Sequence, residues 1–591
     1  MAEYHNPQND PGSQQRLLVA FLLVFVMIVA MQYLLPKPPR QPEQQKSPAQ
    51  TQSQPALAPA IAPPAASTSP RRAPRATPQA PVKQAAAETE TIIENDYYRA
   101  VFSNRGAVAR SWVLKKFDDN SGKPLDLINP AIARELGFPL SFFTYDKDLQ
   151  KKLNEALYVA SATGVQPGQD AVTFEYSDGD IIARKTFRVE SKYVLRVETE
   201  VTSKGQRVQA YTQWPNGLGD MSTASSYTGA KIDFSRNGSV ERNAAVSGFF
   251  LTGKKWIKGG ETLPGPFDWA GTSDQYFAAA FMPESPKDTA LVTLNTPIDI
   301  PHDPSKPNDA KDKVSVLGVA VGDVNGLTRQ RLFAGPKTME VLESTYAQPG
   351  GPSLAGMTDF GMFGFIARPL FLWLKWTYEH WIHDWGWSIV YLTVIITLAL
   401  LPLRISSMKS ALKMQKVAPQ IKALQEKYKR FSLTDPRRAE LQKEMSQLYK
   451  REGVNPVGGC FPMLLQMPFL LAFYSMLGNA IELRHAIWHG MWIKDLSAPD
   501  PYHILPILII ITMFFSQRSM PQGGMDQAQQ KMMNIMGPLM IGYMSWFFAA
   551  GLCIYWATSN LLGYLQQVFI NRTELGRQVR KSQARRATRK K

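Results

Sequence analysis

Uncharged polar side chains recur inside the apolar segments of the C-terminal half of this chain. They are hydroxyls and amides, and no charged residue lies in the middle of any of these segments. In hydrocarbon such groups seek partners or water, so several together could line a hydrated concavity. Alternatively, they hydrogen-bond between paired helices, typically with about 0.6 kcal/mol each. The residues are Thr393, Thr397, Gln466, Asn479, Ser545, Thr558, Ser559 and Asn560, accompanied by Tyr391, Tyr543, Tyr555 and Trp556.

Gln466 lies between two prolines, Pro462 and Pro468. Each proline removes a backbone donor from a helix and can shape it, so backbone bonding near Gln466 is already disturbed. This position favours a functional role for Gln466. For Ser559 and Asn560 the pattern favours hydrogen bonds between helices.

Several classes of chemistry are excluded by what the sequence lacks. The uncharged span centres argue against a proton-coupled pump or an ion relay. We find no nucleotide-binding Walker motif, hydrolase elbow or metal-ligand cluster, so we predict no enzyme, catalytic residue, metal or cofactor. The two cysteines, Cys460 and Cys553, fall in apolar stretches and form no disulfide framework. His302, in PHDPSKPND, fits a solvated loop better than a ligand site.

The polar residues must be positioned by membrane-spanning helices. Apolar runs predict an uncleaved anchor at 17–35, since its nineteen residues exceed a signal-peptide core and no cleavage pattern follows. They also predict five further spans at 387–403, 461–481, 504–517, 532–548 and 551–570, giving a polytopic α-helical membrane protein with six transmembrane helices. The third of the five contains only about 18 Å of strongly apolar helix against a hydrocarbon core of about 30 Å, which suggests local thinning of the bilayer.

The regions between the anchor and the later spans differ in composition. Residues 36–88 are rich in Pro, Gln and Ala and are predicted to form a disordered linker after the N-terminal residues 1–16. Residues 89–348 alternate between polar and apolar and predict an all-β domain, with strands at 171–176, 184–190, 193–202, 290–295 and 314–321. Residues 361–385 mix aromatic and charged side chains and suit an amphipathic helix lying in the membrane interface.

The net charge of +17 is concentrated at two places that flank apolar runs. The segment 404–452 has thirteen Lys and Arg against five Asp and Glu, and the tail 571–591 has nine against one. The positive-inside rule places both in the cytoplasm, which puts both termini inside and the β-domain in the periplasm. Against this, Arg16 alone precedes the anchor while Lys37, Arg40 and Lys46 follow it.

The basic loop 404–454 has apolar residues at helical spacing on both sides of SLTDP, which predicts a helical hairpin in which Pro419 bends the first helix. Two interpretations stay open. The loop could be a solvated element near anionic headgroups, or a docking element for the ribosome or a nascent chain. Its basic residues include Lys409, Lys413, Lys416 and Lys422.

Three motifs carry a resemblance. NPVGGCFPMLLQMPFLLAFYSML (455–477), LSAPDPYHILPIL (496–508) and GLCIYWATSNL (551–561) closely resemble the YidC family of membrane protein insertases of the bacterial inner membrane, over roughly 363–572, and AGPK (334–337) resembles the end of that family's periplasmic domain. The resemblance implies a five-helix core around a hydrophilic groove open to cytoplasm and lipid, and a periplasmic β-supersandwich. It also implies that Thr393, Gln466 and Tyr555 face the groove or substrate path, with Met467 and Trp556 beside them.

The same resemblance implies partners: nascent membrane proteins, the Sec translocon, the ribosome with signal-recognition targeting factors, and the lipid bilayer. No nucleic-acid function beyond ribosome contact is expected. One residue departs from the family pattern, because Thr397 stands where the family usually has a cation. The nearest basic residue is Arg404, about 10 Å further along a helix axis, which makes it a possible cation at the mouth of the groove.

We therefore predict an insertase that shortens the passage of a polar segment through hydrocarbon. A small-solute transporter or channel is the first alternative, and it requires a through-path and inverted repeats, neither of which is visible in the sequence. The second alternative is a periplasmic carbohydrate enzyme held by a membrane anchor.

Overall fold

The computed structural model describes residues 81–165, 170–219, 221, 224–244, 255–256, 258–302, 311–428, 431, 435, 437–454, 461–519 and 532–573. The predicted anchor, most of the linker, and residues 574–591 of the basic tail lie outside these ranges. The chain divides into two compact units. One comprises 76–418 and 454–591, and the other 1–75 and 419–453.

The N-terminal part of the larger unit is built from strands. In chain order they are β1 (Glu90–Glu94), β2 (Tyr98–Ser103), β3 (Val108–Asp118), β4 (Pro124–Asp126), β5 (Phe142–Phe143), β6 (Val159–Ala160), β7 (Gly164–Val165), β8 (Ala171–Ser177), β9 (Ile181–Ser191), β10 (Val194–Ser203), β11 (Gln206–Arg207), β12 (Tyr211–Trp214), β13 (Lys231–Arg236), β14 (Ser239–Ala244), β15 (Lys255–Trp256), β16 (Thr262–Pro264), β17 (Trp269–Ser273), β18 (Phe277–Pro283), β19 (Thr289–Pro301), β20 (Lys311–Asp323) and β21 (Leu327–Pro336). All five strands predicted from alternation are present. Four short helices lie among and after them: α1 (Pro130–Leu136), α2 (Lys147–Glu155), α3 (Ala224–Thr228) and α4 (Met339–Ser344).

These strands form three sheets that share one apolar core. The orders are β4-β3-β2-β1-β7, then β15-β14-β13-β17-β18-β21-β10-β9-β8-β6 with β11 beside β10, and β16-β19-β20-β12-β5. Phe102 of the first sheet stacks on Phe187 of the second at 4.9 Å, and Trp112 of the first meets Trp214 of the third at 6.1 Å. Face-to-face packing of this kind confirms the predicted β-domain.

Strand β9 shows how alternation places a charge in the core. Ile181, Ala183, Lys185 and Phe187 face inward because side chains alternate along a strand. The buried Lys185 ammonium donates to the carbonyl oxygens of residues 106, 107 and 140 at 2.8, 3.2 and 2.6 Å, and it lies 4.0 Å from the Phe142 ring centroid. Burial holds the pKa of Lys185 well below its usual range. One side chain thus satisfies three carbonyl groups from two separate segments of the chain.

We expect Lys185→Met to destabilise the β-domain by about 3 kcal/mol, because buried carbonyl groups lose their donor. For a domain of this size the unfolding midpoint should fall by about 6–12 °C. Thermal unfolding of the detergent-solubilised full chain measures it. The matched control is Arg184→Met, which removes the neighbouring charge from the solvent-facing side, where Arg184 is 61% exposed. Equal midpoints for the two variants would contradict a structural role for the ammonium.

The C-terminal part of the chain is helical. Its α-helices are α5 (Gly364–Thr377), α6 (Trp385–Ala399), α7 (Leu401–Tyr428), α8 (Arg437–Arg451), α9 (Phe461–Asn479), α10 (Ile504–Ser519), α11 (Gly537–Ser545) and α12 (Ala550–Arg572). Wider π-helical turns follow α5 at Tyr378–Ile382 and precede α11 at Met532–Met536. A second apolar cluster, distinct from the core of the β-domain, holds this part together around Ile389, Leu392, Phe473 and Tyr555.

Prolines set a boundary of the α-helix in two of the predicted spans. The span predicted at 387–403 ends at Ala399, and α7 begins at Leu401, because Pro402 has no N–H for the continuing helical ladder but fits a first helical turn. The span predicted at 532–548 begins as a wide turn, with an α-helix only from Gly537 to Ser545. Pro538 cannot donate the bond that would extend an α-helix through the junction.

The predicted count of six spans is not confirmed. In the described part of the chain no single helix has both the length and the apolarity needed to cross a membrane. Together, Gly364–Ile382 and Trp385–Ala399 meet that requirement by length and composition, with a bend of 116° between them. The bend lies at His383, whose φ of 52° breaks the helix.

Residues 419–453 of the predicted hairpin belong to the smaller unit. The end of α7 and the whole of α8 are helical, as predicted, and α7 continues through Pro419 without a break, whereas most of SLTDP lies outside the described residues. The Glu444 carboxylate accepts hydrogen bonds from Lys427 Nζ and Tyr428 Oη, both at 3.0 Å. These bonds fasten the two helices to each other.

A polar seam joins the β-domain to the helices within the larger unit. Lys231 of β13 forms an ion pair with Asp359 at 3.0 Å, and the backbone oxygen of Asp359 accepts from Asn479 Nδ2 of α9 at 3.1 Å. Burial alone would raise the pKa of Asp359, but the nearby Lys231 and Arg242 cations hold it well below its usual range. Further along the seam, Arg484 donates to the backbone oxygen of Asp118 at 2.6 Å.

Candidate functional site in the helical bundle

Helix α12 presents one polar face. Tyr555, Ser559, Gly563 and Gln566 follow at intervals of four, four and three residues, so they lie along one side of the helix. The other side is apolar and exposed, at 46% for Leu561 and 52% for Leu565. A helix with its polar residues turned inward and apolar residues outward fits a bilayer rather than water.

The polar face of α12 meets α9 at two points. Gln466 Nε2 donates to Ser559 Oγ at 3.3 Å, and the rings of Phe473 and Tyr555 stack at 4.0 Å. Gln466 and Phe473 are seven residues apart, so they share one face of α9. The Gln466 side chain is exposed, whereas Tyr555 and Phe473 are buried. The amide therefore lines an accessible surface above a packed aromatic pair.

The C-terminal end of the same face meets Arg404 of α7. Arg404 Nη1 donates to Gln566 Oε1 at 3.2 Å, and Gln566 Nε2 donates to the backbone oxygen of Thr397 at 3.3 Å. A Cβ at Gly563 would lie 2.7 Å from Arg404 Nη2, so a side chain there would displace the guanidinium from its present position. Among the described residues Arg404 has no carboxylate within ion-pair distance, so this cation is not neutralised there.

The predicted site residues fall into two groups. Gln466, Tyr555 and Arg404 are brought together along α12. Thr393 and Thr397 instead donate back to the carbonyl oxygens of residues 389 and 393 of their own helix, both at 2.7 Å, and not to a neighbouring helix as the alternative interpretation expected. Met467 and Trp556 are half-buried, and Pro468 lies inside α9. Pro462 also lies in α9, but its side chain is outside the described part.

The predicted hairpin cations lie on α7. Lys409, Lys413 and Lys422 are exposed, and Lys416 is in the same helix with its side chain outside the description.

Two aspartates that the sequence reasoning missed hold the opposite end of the bundle. The Asp384 carboxylate accepts from the backbone N–H of Trp387 at 2.8 Å, where it caps α6, and from the N–H and Nδ1 of His489 at 2.9 and 2.8 Å. The Asp500 carboxylate accepts from Trp492 Nε1, Tyr502 N and Leu505 N. Each aspartate stands just before a helix, which is the signal for a cap that could have found them.

The connecting segment 480–503, between α9 and α10, covers this end of the bundle. Trp488 is 7% exposed and packs where Gly386 has no side chain, since a Cβ there would lie 2.4 Å from the indole. Ile493 and Leu496 are fully buried. The bundle is thus sealed by apolar packing at one end, while polar groups line α12 toward the other.

Comparisons with known proteins match both parts of the chain. A family described as "YidC periplasmic domain" matches residues 90–373, and one described as "60Kd inner membrane protein" matches residues 376–577. A membrane protein insertase YidC from Cupriavidus metallidurans is 32% identical over 504 residues, which cover 83% of this chain and 84% of the relative. The chain belongs to the YidC family of membrane protein insertases. The resemblance predicted from the three motifs is confirmed.

Other YidC proteins match over different extents. A YidC from Wolinella succinogenes is 44% identical over 241 residues, 41% of this chain and 42% of the relative. A solved structure titled "Active YidC insertase crystal structure with the first transmembrane domain resolved" is 19% identical, with a TM-score of 0.33, and covers 84% of this chain and 95% of that one. Membership of the YidC family implies a bacterial inner-membrane protein with a periplasmic domain, and the transporter alternative is not supported.

Proposed function

We propose that this chain inserts newly synthesised hydrophobic segments into the inner membrane, using the polar face of α12 as one wall of the substrate path. The observation that carries the proposal is the inward stripe of Tyr555, Ser559, Gly563 and Gln566, joined to Gln466 and Arg404. From Tyr555 to Gln566 this stripe is about 16 Å long, or about half the hydrocarbon thickness.

The energetic problem is the polar tail of the substrate. A single charge at the centre of a bilayer costs about 2.5–3.5 kcal/mol on insertion scales, and unpaired polar groups add to that cost. Hydrogen-bonding groups along the stripe replace part of the lost water. Transfer of the substrate's own apolar helix into lipid then provides the driving force, so the process requires no nucleotide and no catalytic residue.

Arg404 would supply the positive charge of the path. Its guanidinium lies beside Gln566 and over Gly563, at the end of the stripe opposite the connecting segment 480–503. A carboxylate in a translocated tail would gain a charge-assisted hydrogen bond there. In this proposal Arg404 takes over the role of the cation that the family usually has at the position of Thr397.

The short helix α10 supports a thinned bilayer beside the path. Its 16 residues span about 24 Å, against about 30 Å of hydrocarbon. Four exposed apolar residues recur along it at helical spacing, and these would face lipid: Ile504, Leu508, Ile511 and Phe515. A thinner bilayer shortens the passage of the tail further.

The partners and orientation follow the same proposal. Nascent membrane proteins are the substrates, and the Sec translocon, the ribosome and signal-recognition factors are proposed to deliver them. Both termini and the hairpin lie in the cytoplasm, where exposed lysines on α7 would meet the ribosome or anionic headgroups. The β-domain lies in the periplasm.

Site-specific photocrosslinking tests the path. A crosslinker at Ser559 should capture the polar tail of a ribosome-stalled substrate, whereas one at Leu565, on the opposite side of the same helix, should not. In cells depleted of the protein, substrates with short translocated tails should accumulate uninserted. Equal capture of the tail at both positions would contradict the proposed path, and normal insertion after complete depletion would contradict the proposed function itself.

A further inference from the structure

An open cavity of about 270 Å³ lies where the β-domain meets the start of α5. Its walls include Arg242 from β14, Glu343 from α4 and Arg368 from α5, together with the connecting residues Thr358 and Asp359. The cavity is remote in sequence from every residue of the proposed substrate path. Its lining combines two guanidinium groups with two carboxylates.

Two polar atoms of the lining residues have no partner. Arg242 Nη2 donates to the backbone oxygen of Gly356 at 2.6 Å, but Arg242 Nε is buried without a hydrogen-bond acceptor among the described residues. Thr358 Oγ1 is likewise buried without a hydrogen-bond partner among the described residues. Both atoms have almost no accessible surface, so they lie behind the cavity wall, and the groups that can meet a ligand are the charged ends of the lining side chains.

The carboxylates of the lining are engaged to different degrees. Asp359 is held by Lys231 at 3.0 Å and by the Gly361 N–H at 2.9 Å. Glu343 is bound to Arg368 at 2.6 Å, but its side chain is 40% exposed and can accept a second donor. An anion alone would meet the guanidinium groups and be repelled by Glu343. A group that carries both charges would satisfy both.

The cavity opens beside a surface suited to the headgroup region of a bilayer. Arg368 is three residues after Phe365 and four before Leu372, so it lies on the same exposed stripe of α5. Phe365 is 69% exposed and Leu372 48%. Trp376 continues that stripe at 43% exposure. Aromatic and apolar side chains of this kind favour the membrane–water interface.

We propose that this cavity binds the zwitterionic headgroup of phosphatidylethanolamine, with Arg242 and Arg368 donating to the phosphodiester and Glu343 accepting from the ammonium. The placement of α5 in the interface belongs to the proposed function, but the contacts do not depend on insertion activity. A bound headgroup would fasten the β-domain to the membrane surface beside the bend at His383.

The test uses the purified full chain in nanodiscs of phosphatidylcholine that contain a small fraction of spin-labelled phosphatidylethanolamine or phosphatidylglycerol. The fraction of immobilised label measures binding. Arg242→Gln and Arg368→Gln should each weaken retention of phosphatidylethanolamine at least fivefold. Glu343→Gln should remove the preference for phosphatidylethanolamine over phosphatidylglycerol. Lys375→Gln is the matched control, since it removes a cation from the same helix outside the cavity lining.

Three outcomes would overturn the proposal. The first is equal retention of the lipid by Arg242→Gln and Lys375→Gln. The second is the absence of any preference between the two lipids in the unmodified protein. The third is displacement of the labelled lipid by millimolar inorganic phosphate, which would indicate a site for free phosphate. Unchanged thermal midpoints exclude misfolding of the variants. Insertion is assayed separately, so loss of lipid binding with insertion intact supports this site and leaves the proposed function unaffected.

Discussion

Replacing Arg404 with alanine should reduce the insertion of a substrate with an acidic tail about 10- to 100-fold. A hydrogen bond to a charged group contributes about 1.5–3 kcal/mol, and a tenfold change corresponds to about 1.4 kcal/mol. A substrate with an uncharged tail should lose much less, because it has no carboxylate for the guanidinium to bind. Reconstituted insertion of the two substrates, which differ only in the charge of the tail, measures the difference.

Two further variants separate the charge from its surroundings. Adding Thr397→Arg to Arg404→Ala moves the cation about 10 Å along the helices and should restore much of the insertion of the acidic tail. Gly563→Leu removes no charge, but its side chain would occupy the space of the guanidinium and should impair the same substrate. If Arg404→Ala slowed both substrates equally, or if the added arginine rescued neither, the proposed charge role would be wrong.

The β-strands were predictable because their information is local. Alternation along β9 already places Lys185 on the same side as Ala183 and Phe187. The carbonyl oxygens that receive its ammonium come from residues 106, 107 and 140, however, and β9 itself carries no signal for them. Local periodicity predicts which way a side chain points, but contacts between distant segments decide what it meets.

The polar character of the candidate site was predictable, but its pairing was not. Gln466 and Tyr555 could be chosen from their types and positions in apolar runs. Gly563 and Gln566 could not, because a glycine in a helix has meaning only once the guanidinium opposite it is known. Thr393 shows the converse, since its hydroxyl donates to a carbonyl oxygen of its own helix, a contact that its residue type does not reveal.

Helix ends were the least predictable part of the bundle. A prediction from hydropathy extends a span until polar residues begin, so the span that starts at Trp387 was predicted to continue past Leu400 and to end at residue 403. The backbone obeys a different constraint, because Pro402 lacks the N–H that would continue the ladder. Sequence reasoning that weighed each proline before the hydropathy would have placed this boundary correctly.

Replacing Asp500 with alanine should destabilise the bundle by about 3–5 kcal/mol. The carboxylate is 2% exposed and accepts from Trp492 Nε1 at 2.8 Å, Tyr502 N at 3.0 Å and Leu505 N at 2.7 Å. Alanine removes the acceptor of all three donors, of which the Leu505 N–H is buried and the other two are partly buried, at up to about 1–3 kcal/mol each before relaxation. The start of α10 also loses a negative charge near its positive end. The unfolding midpoint of the detergent-solubilised protein measures the loss.

Asp495→Ala is the matched control, because it removes the same side chain five residues away in the same loop. Asp495 accepts only from Ser497 among the described donors within hydrogen-bond distance, and its side chain is 25% exposed, so water can replace what is lost. Asp500→Asn should fall between the two, since one of its two acceptor oxygens remains. Because Trp492 and Leu505 lie at the sealed end of the bundle, Asp500→Ala should also let a thiol reagent reach a cysteine introduced at Leu496. If the introduced cysteine stayed protected from the thiol reagent in both Asp500→Ala and Asp495→Ala, and the unfolding midpoints of these two variants were equal, apolar packing alone would keep this end closed.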